Sequence, residues 1–177
     1  MNETLLTTDR LTIRRWRRAE APILFQIRSR PEVARWMADT TPWTQMKQAD
    51  DAISKWNAEL DADPRFGTWA IDPIGTSTAV GWVSLRPLPG DSRDIEIGWV
   101  LDPDATGRGY AREAAAALLD HAKAMHLEQV WALMWPGNEP SARVARAIGM
   151  TDLGIADDPW YGGTSHTFRW NAPASRL

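Results

Sequence analysis

Between residues 94 and 125 the hydrophobic period changes from two to 3.6 across a loop that holds two glycines. Asp94-Ile95-Glu96-Ile97-Gly98-Trp99-Val100 alternates. Ile95, Ile97 and Trp99 therefore share one face of a strand, and Glu96 lies on the other. After Gly109 the residues Ala111, Ala114, Ala115, Leu118, Leu119, Ala122 and Met125 form an apolar stripe at helical spacing. The alanines let that helix lie close to a sheet. A strand that feeds a packed helix through a short loop is a unit of a mixed α/β layer.

The loop itself, Asp102-Pro103-Asp104-Ala105-Thr106-Gly107-Arg108-Gly109-Tyr110-Ala111, has its own chemistry. Amides at a helix start are unpaired and carry the positive end of the helix dipole. Glycines let the backbone approach an anion, which suits a phosphate or pyrophosphate. Arg108 and Arg112 add positive charge, and Tyr110 can pack as the helix begins. Two rival phosphate motifs fit worse. A dinucleotide fingerprint needs a third small residue where Arg112 stands, and the Gly-Lys-Ser/Thr of a Walker loop is absent.

Around this unit the pattern predicts a strand at 11–14 and one or two helices over 20–37, with Pro31 able to start the second. A helix over 44–60 follows, capped by Thr44, with Ile53, Trp56 and Leu60 on one face. Strands are expected at 66–71, 79–85, 129–134, 150–155 and 164–170, with turns at 72–76 and 87–91. Asn138 and Ser141 open a short helix over 138–148, for which both are favoured capping residues, and Gly149 stops it. The order is helices, then an antiparallel meander, then strand–helix–strand–helix–strand–strand. One domain over residues 1–177 suits this length.

The net charge of −3 argues against a general nucleic-acid binder. Without cysteine there is no disulfide, thiolate nucleophile or cysteine-based metal site. His121, His126 and His166 show no metal-ligand spacing, so no metal is expected. No apolar run has the length of a membrane span, and the first residues lack the pattern of a signal peptide, so the expected compartment is the cytoplasm. Eleven tryptophans against two tyrosines and three phenylalanines are unusual. Indoles fill cores, and they also line pockets for flat or cationic ligands.

Four segments resemble the GNAT superfamily of N-acetyltransferases, and more narrowly its RimJ/RimL-type branch. They are Thr7-Thr8-Asp9-Arg10-Leu11-Thr12-Ile13-Arg14, Ile95-Glu96-Ile97-Gly98-Trp99-Val100-Leu101, Gly107-Arg108-Gly109-Tyr110-Ala111-Arg112-Glu113-Ala114, and the stretch from Asn138-Glu139-Pro140-Ser141 to Gly149-Met150. The resemblance runs from residue 7 to 150 in family order. It implies a central, mostly antiparallel sheet with a splayed pair of strands, flanked by helices. It also implies acetyl-CoA as co-substrate, with transfer to a primary amine by direct attack in a ternary complex.

Residue by residue, the resemblance implies that the strand ending at Val100 and Leu101 splays from residues 131–134. Pantetheine would pair there with the backbone of Val100 and Leu101. Thr106, Gly107, Arg108, Gly109, Tyr110, Ala111 and Arg112 would form the pyrophosphate loop. Glu96 would be the base or the amine anchor. Asn138 would bond pantetheine, and Ser141 would lie near the sulfur as proton donor. Arg143 either reaches a cofactor phosphate or is solvated. Trp36, Trp43, Trp160 and Tyr161 fall in segments that would border the acceptor site, and Tyr161 is a reserve proton donor.

Two positions depart from the family pattern. Asp104 stands where Gln or Arg usually opens the loop, so its side chain is expected to point away or to cap. Ala145 stands where many relatives carry a proton-donating tyrosine. These departures keep a second reading open, a non-catalytic acyl-CoA-binding or sensing domain. The acceptor is either a small molecule or a protein N-terminus, and a monomer or a homodimer is equally compatible.

Overall fold

A computed structural model describes residues 4–90 and 93–173. Its centre is one eight-stranded sheet in the order β1-β2-β3-β4-β5-β6-β8-β7. The strands are β1 (Thr4–Thr7), β2 (Leu11–Arg14), β3 (Gly67–Pro73), β4 (Gly81–Pro87), β5 (Ile95–Leu101), β6 (Gln129–Met134), β7 (Thr151–Asp157) and β8 (Thr164–Asn171). Every neighbouring pair is antiparallel except β5 and β6. The helices are α1 (Ala21–Arg28), α2 (Pro31–Ala34), α3 (Met46–Ala62), α4 (Tyr110–Ala124) and α5 (Glu139–Ala147). This is the mixed α/β architecture that the change of period predicted.

The alternation of β5 builds the core on both sides of the sheet. Ile95 and Ile97 pack with Ala114, Leu118, Leu119 and Ala122 of α4, where the small residues bring helix and sheet together. The opposite face carries a second cluster, in which Trp16, Leu24, Ile27, Ile53 and Trp82 are joined by Trp56 and Val100. Three indoles run through that layer, with Trp16–Trp56 centroids 6.1 Å apart and Trp56–Trp82 6.0 Å. Tryptophan is thus largely a packing residue here.

A buried ion triad ties β2 to β3. Arg14 donates to both carboxylate oxygens of Glu20 (2.9 and 2.7 Å) and to Asp72 Oδ2 (3.1 and 3.0 Å), and all three side chains are buried.

The boundaries differ from expectation at several points. The α3 helix begins at Met46, so Thr44 does not cap it; Gln45 is the cap residue, in a capping box with Gln48. The Gln48 carboxamide also accepts the Thr44 and Gln45 amides, so a longer side chain does the capping from inside the helix. The edge strand β1 was not foreseen, because Thr4-Leu5-Leu6-Thr7 does not alternate. Asp91, the last residue of the expected second turn, lies outside the described residues.

Candidate active site

The loop after β5 is shaped by its backbone. Gly107 and Gly109 have φ of +75° and +80°, the left-handed region that favours glycine. The first backbone bond of α4 runs from Glu113 N–H to the Gly109 carbonyl at 3.0 Å. The amides of residues 107–112 therefore find no acceptor among the described residues. A Cβ built on Gly107 meets nothing within 4 Å, so open space lies beside the loop there. Arg108 and Arg112 are exposed, whereas Thr106 spends its hydroxyl on the Pro103 carbonyl at 2.8 Å.

The hairpin turn between β1 and β2 holds this loop in place. Arg10 donates to the Arg108 carbonyl (3.0 Å) and to Glu113 Oε2 (2.7 Å), and Thr8 Oγ1 donates to Glu113 Oε1 (2.6 Å). The Arg10 guanidinium also lies 5.3 Å from the Tyr110 ring centroid. Asp104 points away from the loop, with its carboxylate 3.3 Å from Arg30, while Asp102 caps the 3-10 turn Pro103–Ala105.

The parallel pair β5–β6 has one registered rung, Glu96 with Trp131. Both strands run on, to Leu101 and to Met134, with no further rung between them. On its other edge β5 stays paired with β4 to Leu101. Asp102 N–H reaches the Val80 carbonyl at 2.8 Å, and backbone groups alternate sides along a strand. The amides of Trp99 and Leu101 therefore face the gap, whereas Val100 turns its carbonyl to Gly81. A Cβ on Gly81 would sit 2.1 Å from that oxygen, so only glycine fits there. The backbone groups of Val100, expected at the gap, face β4, and its side chain packs against the second core cluster.

Glu96 stands on the last rung before the gap. Its carboxylate is half-buried and accepts a 2.8 Å hydrogen bond from the Tyr161 hydroxyl. Burial pushes its pKa above the usual carboxylate range, opposed by that hydrogen bond and by the charge of Arg86. Burial and the Glu96 charge likewise raise Tyr161. Tyr161 reaches Glu96 from the turn between β7 and β8. Asp158, buried there, accepts the amides of Trp160 (2.9 Å) and Tyr161 (3.0 Å). The Trp160 ring packs edge-on against Trp131, centroids 4.9 Å apart.

A model of the Acetyltransferase (GNAT) domain matches residues 10–151. The chain belongs to the GNAT acetyltransferase family. Within that family, the uncharacterised N-acetyltransferase p20 of Bacillus licheniformis is 29% identical over 154 residues, 86% of this chain and 85% of the relative. A GNAT acetyltransferase from Bacillus anthracis shares the fold with a TM-score of 0.80 at 24% identity, covering 94% and 97% of the two chains. RimL, a ribosomal L7/L12 α-N-protein acetyltransferase solved with coenzyme A, has a TM-score of 0.79 at 16% identity over 96% and 98%.

The remaining expected residues of this GNAT chain fall into three groups. Asn138 is buried and caps α5 through Oδ1, which accepts the Ser141 amide at 3.4 Å; its Nδ2 has no partner among the described residues. Ser141 is half-buried and Arg143 exposed. Ala145, at the position where many relatives have tyrosine, is fully buried beside Met150. Trp36 and Trp43 lie on the α2–α3 side, each under an arginine: Arg35 over Trp36 and Arg28 over Trp43, both 4.8 Å from the ring centroid. Tyr161 reaches Glu96 itself, and Trp160 packs on Trp131, the cross-strand neighbour of Glu96.

The sequence did not point to Asp158, Arg86, the place of Trp131 beside Glu96 and Trp160, or the Thr8–Arg10–Glu113 tie. The last involves residues about a hundred positions apart, which no local pattern relates. Asp158 had a local signal in the Gly162-Gly163 pair that closes its turn. Among the described residues no cluster of His, Asp and Glu could hold a metal ion, and no helix is long and apolar enough to cross a membrane.

Proposed function

We propose that this chain is an acetyl-CoA:amine N-acetyltransferase, working as one unit over residues 1–177 by direct attack in a ternary complex. The carrying observation is the position of Glu96, a carboxylate with a raised pKa on the last rung before β5 and β6 part. Acetyl-CoA would supply an activated acetyl thioester, a reading supported by the coenzyme A bound to the similarly folded RimL. The unpaired amides of residues 107–112, with Arg108 and Arg112, suit its pyrophosphate. The gap-side amides of Trp99 and Leu101 and the free Asn138 Nδ2 suit pantetheine. Glu96 takes the proton from the acceptor ammonium, directly or through water, so that a neutral nitrogen attacks. Ser141, at the start of α5, returns a proton to the departing sulfur. The cytoplasm, and a monomer or homodimer, complete the reading, with neither nucleic acid nor membrane as partner.

Calorimetric titration with acetyl-CoA tests the donor site. Micromolar binding, weakened at least about tenfold in Arg108→Glu/Arg112→Glu, is expected; both side chains are exposed, so the fold should survive. Thiol release with a panel of amines then tests turnover. Glu96→Gln should lose roughly 100-fold or more in kcat with acetyl-CoA affinity unchanged. Binding without turnover of any amine would leave an acyl-CoA-binding domain. Absence of binding would remove the proposal.

A further inference from the structure

Register places one row of side chains across the sheet on the face that Tyr161 covers. Arg86 of β4 lies opposite Glu96, Glu96 opposite Trp131, and Trp131 opposite Arg169. Cross-strand partners in a row point to the same face, with Cβ atoms about 4.5–5.5 Å apart. An arginine directly opposite a glutamate ordinarily closes an ion pair. Here it does not: Glu96 turns its Oε2 to the Tyr161 hydroxyl at 2.8 Å, and no hydrogen bond or ion pair holds Arg86 among the described residues.

The guanidinium nonetheless stands near the site. Its charge draws both Glu96 and Tyr161 towards their ionised forms. Arg86 is half-buried, so its charge is less screened there than on the open surface. The other cation of the row, Arg169, is placed over the Trp131 ring, 5.1 Å from its centroid. Asp158, the remaining acid of the cluster, is occupied by the amides of its own turn. A carboxylate and a guanidinium therefore stand on neighbouring strands, opposite one another, with no ion pair between them.

We propose that the acceptor is a zwitterion, a small amine carrying a carboxylate a few bonds from its nitrogen, with the ammonium on Glu96 and the carboxylate on Arg86. This rests on the acetyltransferase reading above and deepens it. Guanidinium binds carboxylate through two parallel N–H donors, so the contact orients the acceptor as well as holding it. A free amino acid satisfies both charges at once. A protein N-terminus offers the ammonium alone and leaves Arg86 unanswered.

The test is thiol release from acetyl-CoA with three matched sets: the free proteinogenic amino acids, their carboxamides, and tetrapeptides beginning with the same residues. The expected result is at least one free amino acid with kcat/KM about tenfold or more above its amide and peptide counterparts. Arg86→Gln should abolish that preference by raising KM for the acid, while Arg86→Lys restores part of it and acetyl-CoA affinity stays unchanged. Amides or peptides acetylated as well as the acids would overturn the inference and leave the acetyltransferase reading standing. The inference is equally overturned if Arg86→Gln slows acids and amides alike with a shifted pH profile, since the arginine would then only tune Glu96. No thiol release with any set would remove the acetyltransferase reading and the inference with it.

Discussion

Tyr161 and Glu96 form a single unit, since each changes the proton affinity of the other. Replacing Tyr161 by Phe removes a hydrogen bond that favours the charged carboxylate. The acid limb of the pH–rate profile should therefore move to higher pH, with kcat at pH 8 little changed; an unmoved limb would separate Tyr161 from the chemistry. Glu96 also carries a stability consequence. A carboxyl whose pKa is raised on folding stabilises the protein below its unfolded pKa, and that contribution is lost as pH rises through the folded value. At neutral pH the buried charge is thus a cost. Glu96→Gln should raise Tm at pH 7.5 by about 1–3 °C, and the gain should vanish near pH 4. Scanning calorimetry of the two proteins at both pH values reads this directly.

At the scale of elements, two ties decide whether the site is assembled. The first is the Arg14–Glu20–Asp72 triad, which fixes the entry into α1 against β3. Arg14→Met leaves two buried carboxylates without the cation between them, with only the Arg17 amide on Glu20 and the Thr76 hydroxyl on Asp72, and should cost roughly 3–5 kcal/mol at pH 7. Burial pushes the Glu20 carboxyl up, but the hydrogen bonds from Arg14 and from the Arg17 amide, together with the charges of both arginines, hold it below the usual carboxylate range. Its stabilising contribution is present above the unfolded pKa and lost as acid is added. The penalty of Arg14→Met should therefore shrink towards pH 3, which urea melts at the two pH values check. The second tie is Glu113, which clamps Thr8 and Arg10 to the first turn of α4. Glu113→Gln should loosen the loop and raise KM for acetyl-CoA several-fold while leaving kcat nearly constant.

For the whole molecule, the sheet separates two cores that do different work. The α4 side is mostly aliphatic, with Trp69 and Phe168 among its buried residues, and Leu118→Ala there should cost about 2–5 kcal/mol. The α1–α3 side is built on indoles that reach Val100, so it connects packing to the site. On the far edge, Asp152 is held down to about 2, first by His166 and then by the Gly154 amide and Arg146. That contribution is present above the unfolded pKa and is lost as pH falls towards 2. Asp152→Asn should accordingly flatten the decline of Tm between pH 4 and pH 2.

The sequence alone was enough for the repeating features of the fold, because they are local. The alternation over residues 95–100, the apolar stripe over 111–125 and the Asn138/Ser141 helix start each depend on spacing within a few positions, and each appeared where spacing put it. Gln48 displaced Thr44 as a cap because a reaching-back side chain from inside the helix competes with the residue before it. What the tertiary structure alone decided is which of these local pieces meet. Whether Glu96 pairs with Arg86, Tyr161 or solvent depends on the register of β4 against β5 and on a turn sixty-five residues away. Register and turn placement follow from burying one face of a strand against helices contributed by the rest of the chain, and no window of sequence contains that sum.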